Sequence, residues 1–211
     1  MVLIADDDEF FRMALQVILT ERLGFSEVVE ANSLEEAIEQ LSRRDDIELA
    51  LFDLAMPGMK SAASLREIRE KFSDSKIAVI SGSKCRDDVL LALTSGVHGY
   101  VPKSLGASNI QHALAFILGG QVYVPQLITE LDHDDVAQES SKEIDLRHKK
   151  VTKRQKEVLS LVVQGRSNKE IARILDLGEG TVKVHMSALF RNLGTNCRSA
   201  TAAVGAQILA S

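Results

Sequence analysis

In the first 118 residues, brief apolar runs alternate with longer stretches of helical periodicity, and this alternation is what most restricts the fold. The runs are Val2–Ala5, Val28–Glu30, Leu49–Phe52, Ile77–Ile80 and Gly99–Val101, most of them rich in β-branched or aromatic residues. Between them, Phe11, Leu15, Ile18 and Leu19 form one apolar stripe at helical spacing, and Leu34, Ala37, Ile38 and Leu41 form another. Ser33-Leu-Glu-Glu36 has the spacing of a capping box and starts the second helix. Short strands alternating with helices predict a parallel sheet covered on both faces. Ligands of such sheets bind at the carboxyl ends of the strands.

Those ends carry chemistry. Asp6, Asp7 and Asp8 follow the first run, Asp53 the third, Ser81-Gly82-Ser83 the fourth, and Lys103 the fifth. Carboxylates from two strand ends crowd one edge, which is unfavourable unless a cation sits among them. Oxygen ligands with room for water suit Mg²⁺. A nearby hydroxyl and ammonium can hold an anion bound to that metal. The set describes a phosphoryl site with one Asp as nucleophile.

Residues 1–118 resemble the receiver domain of bacterial two-component response regulators. The resemblance rests on Ala-Asp-Asp at 5–7, Leu-Phe-Asp-Leu-Ala-Met-Pro-Gly at 51–58, Ile-Ser-Gly at 80–82 and Gly-Tyr-Val-Pro-Lys at 99–103. It implies a doubly wound, flavodoxin-like sheet of five parallel strands. It also implies Asp53 as phosphoacceptor, with Asp6, Asp7, Asp53 and the carbonyl of Ala55 around Mg²⁺. Ser81 would bond the phosphoryl oxygens and Lys103 would pair with their charge. Tyr100 would be the aromatic switch that turns inward with Ser81, and Gly82 would leave the site open to a donor. Two departures stand out: Asp8-Glu9 where this branch often has His-Pro, and Lys60-Ser61 where many receivers carry Asp-Gly. The extra carboxylate of Asp8 is expected to alter metal affinity.

Charge is unevenly placed. The formal net charge is −5. Residues 1–118 hold 12 Lys and Arg against 19 Asp and Glu, residues 119–147 hold 2 against 7, and residues 148–211 hold 11 against 4. A basic end on an acidic chain is a footprint for a polyanion. That end reads as helices. Thr152-Lys-Arg-Gln155 and Ser167-Asn-Lys-Glu170 are capping boxes, Gly165 ends the first helix, and Asp176-Leu-Gly178 is a tight turn. Helices are predicted over 179–192 and 199–209. In the former, Val182, Met186, Leu189 and Leu193 form a packing face, while Lys183, Val184, Ser187 and Arg191 form a face suited to the major groove.

Residues 150–205 closely resemble the LuxR-type helix-turn-helix domain, through Thr-Lys-Arg-Gln-Lys-Glu-Val-Leu at 152–159, Gln-Gly-Arg-Ser-Asn-Lys-Glu-Ile-Ala at 164–172 and Glu-Gly-Thr-Val-Lys-Val-His at 179–185. By position, Lys183, Val184 and Ser187 would face bases. Asn168, Lys169, Thr181, His185 and Arg191 would contact or orient on phosphates. Gly178, Asp176 and Ser187 depart from the usual residues at the helix cap, the turn and the reading face. Taken end to end, the chain resembles the NarL/FixJ class of response regulators. The expected organisation is a receiver over 1–120, an acidic linker over 121–147 and a four-helix, all-α DNA-binding domain over 148–211.

The resemblance implies a sensor histidine kinase and double-stranded DNA as partners, and a homodimer on phosphorylation. No apolar run reaches the roughly 20 residues of a membrane helix, and two cysteines are too few for a disulfide scaffold. The expected setting is the reducing cytoplasm. At 4% aromatic residues with no Trp, stacking on single-stranded nucleic acid is disfavoured. Two alternatives remain at this point. One is an aspartyl-phosphate phosphatase, which would need a second Asp where Ala55 stands. The other is a receiver that only dimerises and is never phosphorylated.

Overall fold

The computed structural model describes residues 1–59, 62, 64–83, 85–126, 151–195 and 197–209. Lys60, Ser61 and most of the expected linker lie outside them. The chain divides into two compact units, one over residues 1–83 and 87–125 and the other made chiefly of the C-terminal helices.

The first unit runs β1 (Val2–Ala5), α1 (Glu9–Val17), a π turn (Ile18–Arg22), β2 (Val28–Ala31), α2 (Leu34–Arg43), β3 (Leu49–Phe52), α3 (Ser64–Lys71), β4 (Lys76–Ser81), α4 (Arg86–Thr94), β5 (Tyr100–Pro102) and α5 (Ala107–Leu118). The five strands are parallel in the order β2-β1-β3-β4-β5. Strand side chains point alternately to the two faces. Val2, Ile4, Leu49, Leu51, Ala78, Ile80 and Val101 pack against Leu15, Ile18 and Leu19 of α1 and its π turn, and against Ile110, Ala113, Leu114 and Ile117 of α5. Leu3, Phe52 and Val79, at the alternate positions, are also fully buried. The sheet is therefore covered on both sides, and its strands read as unbroken apolar runs for that reason.

The register places the chemistry. Ala5 pairs with Phe52 and Ser81 with Pro102. The next residues out of the sheet are Asp6 beside Asp53, and Lys103 beyond Ser81. After Asp53 the chain turns tightly: Pro57 O accepts from Leu34 N at 2.9 Å, and Gly58 takes φ +84°. A Cβ on Gly58 would lie 3.0 Å from Leu34 Cβ, so the turn against α2 requires glycine twice over.

Past α5, Tyr123 forms a parallel bridge with Gly99; Tyr100 N donates to Tyr123 O at 3.0 Å and Tyr123 N to His98 O at 3.1 Å. This segment covers backbone groups at the β5 edge. Residues 121–125, expected as the start of the linker, thus belong to the first unit.

The second unit contains α6 (Lys153–Val163), α7 (Asn168–Leu175), α8 (Glu179–Leu193) and α9 (Arg198–Leu209). Both capping boxes form with their two reciprocal bonds. The box at Ser33 is only half made: Ser33 caps Glu36 N, but Glu36 Oε2 accepts from Asn32 N. Val158, Leu159, Val162, Ile171, Val182, Met186, Leu189 and Leu193 form the core. Among the described residues, no helix is long and apolar enough to cross a membrane.

Asp176 ends α7 in the left-handed conformation, at φ 51°. Its Cβ makes that conformation costly, and glycine removes the cost. Asp176→Gly is expected to stabilise this unit by about 0.5–1 kcal/mol, read as greater hydrogen-exchange protection of the buried α7 and α8 amides. Unchanged or lower protection would contradict it.

Candidate phosphoryl site and nucleic-acid interface

Asp6 and Asp53 are both buried at the carboxyl edge of the sheet. Their backbone N–H groups are satisfied by Ala31 O at 3.0 Å and Ala5 O at 2.8 Å, which fixes where each side chain starts. Lys103 Nζ lies 2.6 Å from Asp6 Oδ2 and 3.0 Å from Asp53 Oδ2. The bond to Asp53 has hydrogen-bond geometry; the contact with Asp6 is an ion pair without it. Asp6 Oδ1 accepts from Asp8 N at 3.0 Å. Asp53 Oδ1 is buried with no hydrogen-bond partner among the described residues. Half-buried Asp7 completes a group in which one oxygen from each of Asp6, Asp7 and Asp53 lies within 4.8 Å of the others.

Three converging carboxylates facing one ammonium leave negative charge over, and a buried carboxylate oxygen without a donor is costly. A hard divalent cation answers both, so these residues fit Mg²⁺. Ala55 sits in the exposed turn two residues past Asp53, where its carbonyl was expected to join them.

Ser81 is buried, and its Oγ accepts from Ser83 N at 3.3 Å. Lys103 N donates to Ser81 O at 2.8 Å, tying the ends of β4 and β5 together. A Cβ built on Gly82 would meet nothing within 4 Å, so the approach beside Ser81 is open. Tyr100 is fully buried, and its hydroxyl donates to Ser83 O at 2.8 Å. The ring therefore already lies inward. This bond ties the Tyr100 ring to the Ser81–Ser83 loop.

On the second unit, Val184 is 66% exposed and the Lys183 side chain 64% exposed, so both present themselves to a partner. Lys183 Nζ lies 3.6 Å from Glu179 Oε1, a surface pair worth little. Ser187 Oγ donates to Lys183 O at 3.1 Å, leaving its oxygen chiefly as an acceptor. Lys169, Thr181 and Arg191 are exposed, while Asn168 and His185 are half-buried. Asn168 Oδ1 accepts from Arg198 at 3.1 Å, which turns its amide NH₂ away from that contact. Gly178 caps α8 without a side-chain bond.

Residues 2–115 match the family model of the response regulator receiver domain, and residues 149–204 that of the bacterial regulatory proteins of the luxR family. The chain is 34% identical over 200 residues to the glycerol metabolism activator of Pseudomonas putida, spanning 93% of this chain and 90% of that one. It is 32% identical over 198 residues to the nitrate/nitrite response regulator NarL of Escherichia coli K12, with the same coverage. This chain belongs to the NarL/FixJ class of response regulators. Among solved structures, RcsB of Salmonella enterica serovar Typhimurium, bound to promoter rprA in the presence of phosphomimetic BeF₃⁻, shares the fold at TM-score 0.57 and 21% identity over 98% of each chain.

The regulator's acidic pocket holds features beyond those read from the sequence. Asp8 is not part of the carboxylate cluster; it caps α1, accepting from Phe11 N at 3.2 Å. An Asp directly before a helical stripe is the signal that would have shown this. Arg12 donates to Asp6 O at 2.7 Å and to Glu30 Oε2 at 2.6 Å, clamping α1 to the corner where the carboxylates meet.

Burial, then the charge of Asp53, pushes the Asp6 carboxyl up to about 6, against the pull of Lys103. Burial works against the Lys103 charge, but Asp53 and Asp6 outweigh it and hold its pKa above the ordinary lysine value. For Asp6 the folded value exceeds the unfolded one, so the folded chain binds more protons between pH 4 and 6. Stability then falls as pH rises through that window. In metal-free buffer, Asp6→Asn, which mimics the neutral form, is expected to gain about 2–3 kcal/mol on the wild type between pH 4 and 7. Urea denaturation in EDTA checks this, and a pH-independent difference would contradict it.

Proposed function

We propose that this DNA-binding response regulator is switched by phosphorylation of Asp53, with the phosphoryl group supplied by a sensor histidine kinase. The observation that carries the reading is the Asp53 carboxylate: one oxygen is held by Lys103, and the other is buried without a donor beside Asp6 and Asp7. An oxygen so placed can bond to phosphorus as the bond from phosphorus to the donor's leaving atom breaks with its electron pair. Lys103 is positioned to meet the phosphoryl oxygens, and Ser81 Oγ to bond one of them. Mg²⁺ held by Asp6, Asp7, Asp53 and the Ala55 carbonyl would offset the carboxylate charge facing the incoming phosphoryl group. Gly82 leaves the donor's approach open. The chain is a regulator and not an enzyme on a substrate of its own, and it acts in the cytoplasm.

In this reading the receiver runs through residue 125, an acidic linker follows to 147, and 148–211 are the DNA-binding domain. The phosphoryl group acts through Ser81, Ser83 and Tyr100 on the surface of α4, β5 and α5, and favours a homodimer. In the second unit, α8 enters the major groove with Lys183, Val184 and Ser187 at base edges. Asn168, Lys169, Thr181, His185 and Arg191 meet or orient on phosphates. The excess of basic residues over 148–211 supports this, as does their exposure on α7 and α8.

Asp53→Asn is expected to abolish acid-labile phosphate incorporation from a small acyl phosphate, because an amide is not a nucleophile there. Labelling at the wild-type rate would remove the assignment. On DNA, Lys169→Ala is expected to weaken binding to all sequences alike and to flatten the log–log salt dependence by about one unit. Lys183→Ala is expected to cost roughly 1–3 kcal/mol more on a selected site than on random duplex. Equal losses on both duplexes would move Lys183 to the phosphate contacts.

A further inference from the structure

Phe11 belongs by spacing to the apolar stripe of α1, yet its ring does more than fill the core. Lys103 Nζ lies 4.6 Å from the centroid of that ring. The same ammonium is 2.6 Å from Asp6 and 3.0 Å from Asp53. Among the described residues, two carboxylates and one aromatic face thus lie against it. The ring is held from both sides along the chain. Phe11 N is bound by the capping Asp8, and the next residue, Arg12, is clamped to Asp6 O and Glu30. A partly buried ammonium over such a ring is attracted by its quadrupole.

We infer that Phe11 is a positioning residue for phosphorylation, a platform that keeps the Lys103 ammonium at the site while its carboxylate partners change. This rests on the proposed roles of Asp53 and Lys103. In the step, an Asp53 carboxylate oxygen bonds to phosphorus, and the bond from phosphorus to the acyl oxygen of the donor breaks. The carboxylate leaves with the electron pair, and no proton needs to move. During this exchange Asp53 loses much of its hold on Lys103, because its charge passes into the new acyl phosphate and the phosphoryl oxygens. A carboxylate binds an ammonium through directed hydrogen bonds. A ring face attracts it without them, so the ammonium can trade Asp53 for phosphoryl oxygens and stay in place.

The test is carried out on the full chain, with acetyl phosphate and Mg²⁺ as probe. Phe11 is replaced site-specifically by phenylalanines bearing one, two and three fluorines, which keep the shape and progressively weaken the quadrupole. The expected result is a stepwise fall in the maximal labelling rate, reaching roughly 3- to 30-fold for the weakest ring, with unchanged urea midpoints. Phe11→Leu should fall at least as far, and Phe11→Tyr should keep most of the rate. A flat rate across the fluorinated series overturns the inference, as does a rate that follows the urea midpoint in place of the ring. Asp53→Asn and Lys103→Ala are run alongside. Wild-type labelling in either would overturn the site reading and the inference together, whereas loss in both with a flat series overturns the platform alone.

Discussion

The Lys103 ammonium between Asp6 and Asp53 is the contact on which the receiver's site depends. Two buried carboxylates side by side are tolerated only with positive charge among them. One lysine neutralises part of that charge and leaves Asp53 with a free oxygen. The sheet makes the arrangement unavoidable. Pairing of Ala5 with Phe52 sets the acids side by side, and pairing of Ser81 with Pro102 brings Lys103 across from them. The raised pKa of Asp6 follows first from its burial and then from the charge of Asp53. Burial disfavours ionisation of Asp6, and positive charge placed beside it would offset that.

The second unit uses electrostatics in the opposite sense. Lys169, Arg173, Lys183 and Arg191 are exposed on α7 and α8, and apolar residues close a small core around Val158, Ile171, Val182 and Leu189. Capping boxes at Thr152 and Ser167 fix the starts of α6 and α7. In both units rigid elements deliver the charged side chains, from strand ends in the first and from helix faces in the second.

Much of this was legible in the sequence, for a physical reason. A strand buried on both faces has to be apolar throughout, so β1 and β3 stand out directly, and the acids that follow them mark the ligand edge. The two faces of α8 were equally visible, because Val182, Met186, Leu189 and Leu193 repeat at helical spacing as a packing face and leave Lys183, Val184, Ser187 and Arg191 on the other. What stayed hidden depends on direction. Asp8 looks like a fourth pocket carboxylate until its backbone geometry makes it a cap. Phe11 looks like a core residue until the path of α1 sets its ring against Lys103. The π turn at Ile18–Arg22 shares the apolar pattern of an ordinary helix, so spacing does not reveal it. The bridge from Tyr123 to Gly99 joins residues that only the tertiary fold brings together, and the inward seat of Tyr100 is a matter of one side-chain torsion.

The central claim is that a phosphoryl group on Asp53 changes how the second unit meets DNA. The direct measurement is the affinity of the full chain for a selected duplex, by fluorescence anisotropy at fixed salt, before and after stoichiometric phosphorylation. The phosphorylated chain is expected to bind more tightly, with the gain absent in Asp53→Asn. Equal affinity of the two forms, with Asp53 shown to carry the phosphoryl group, would contradict it.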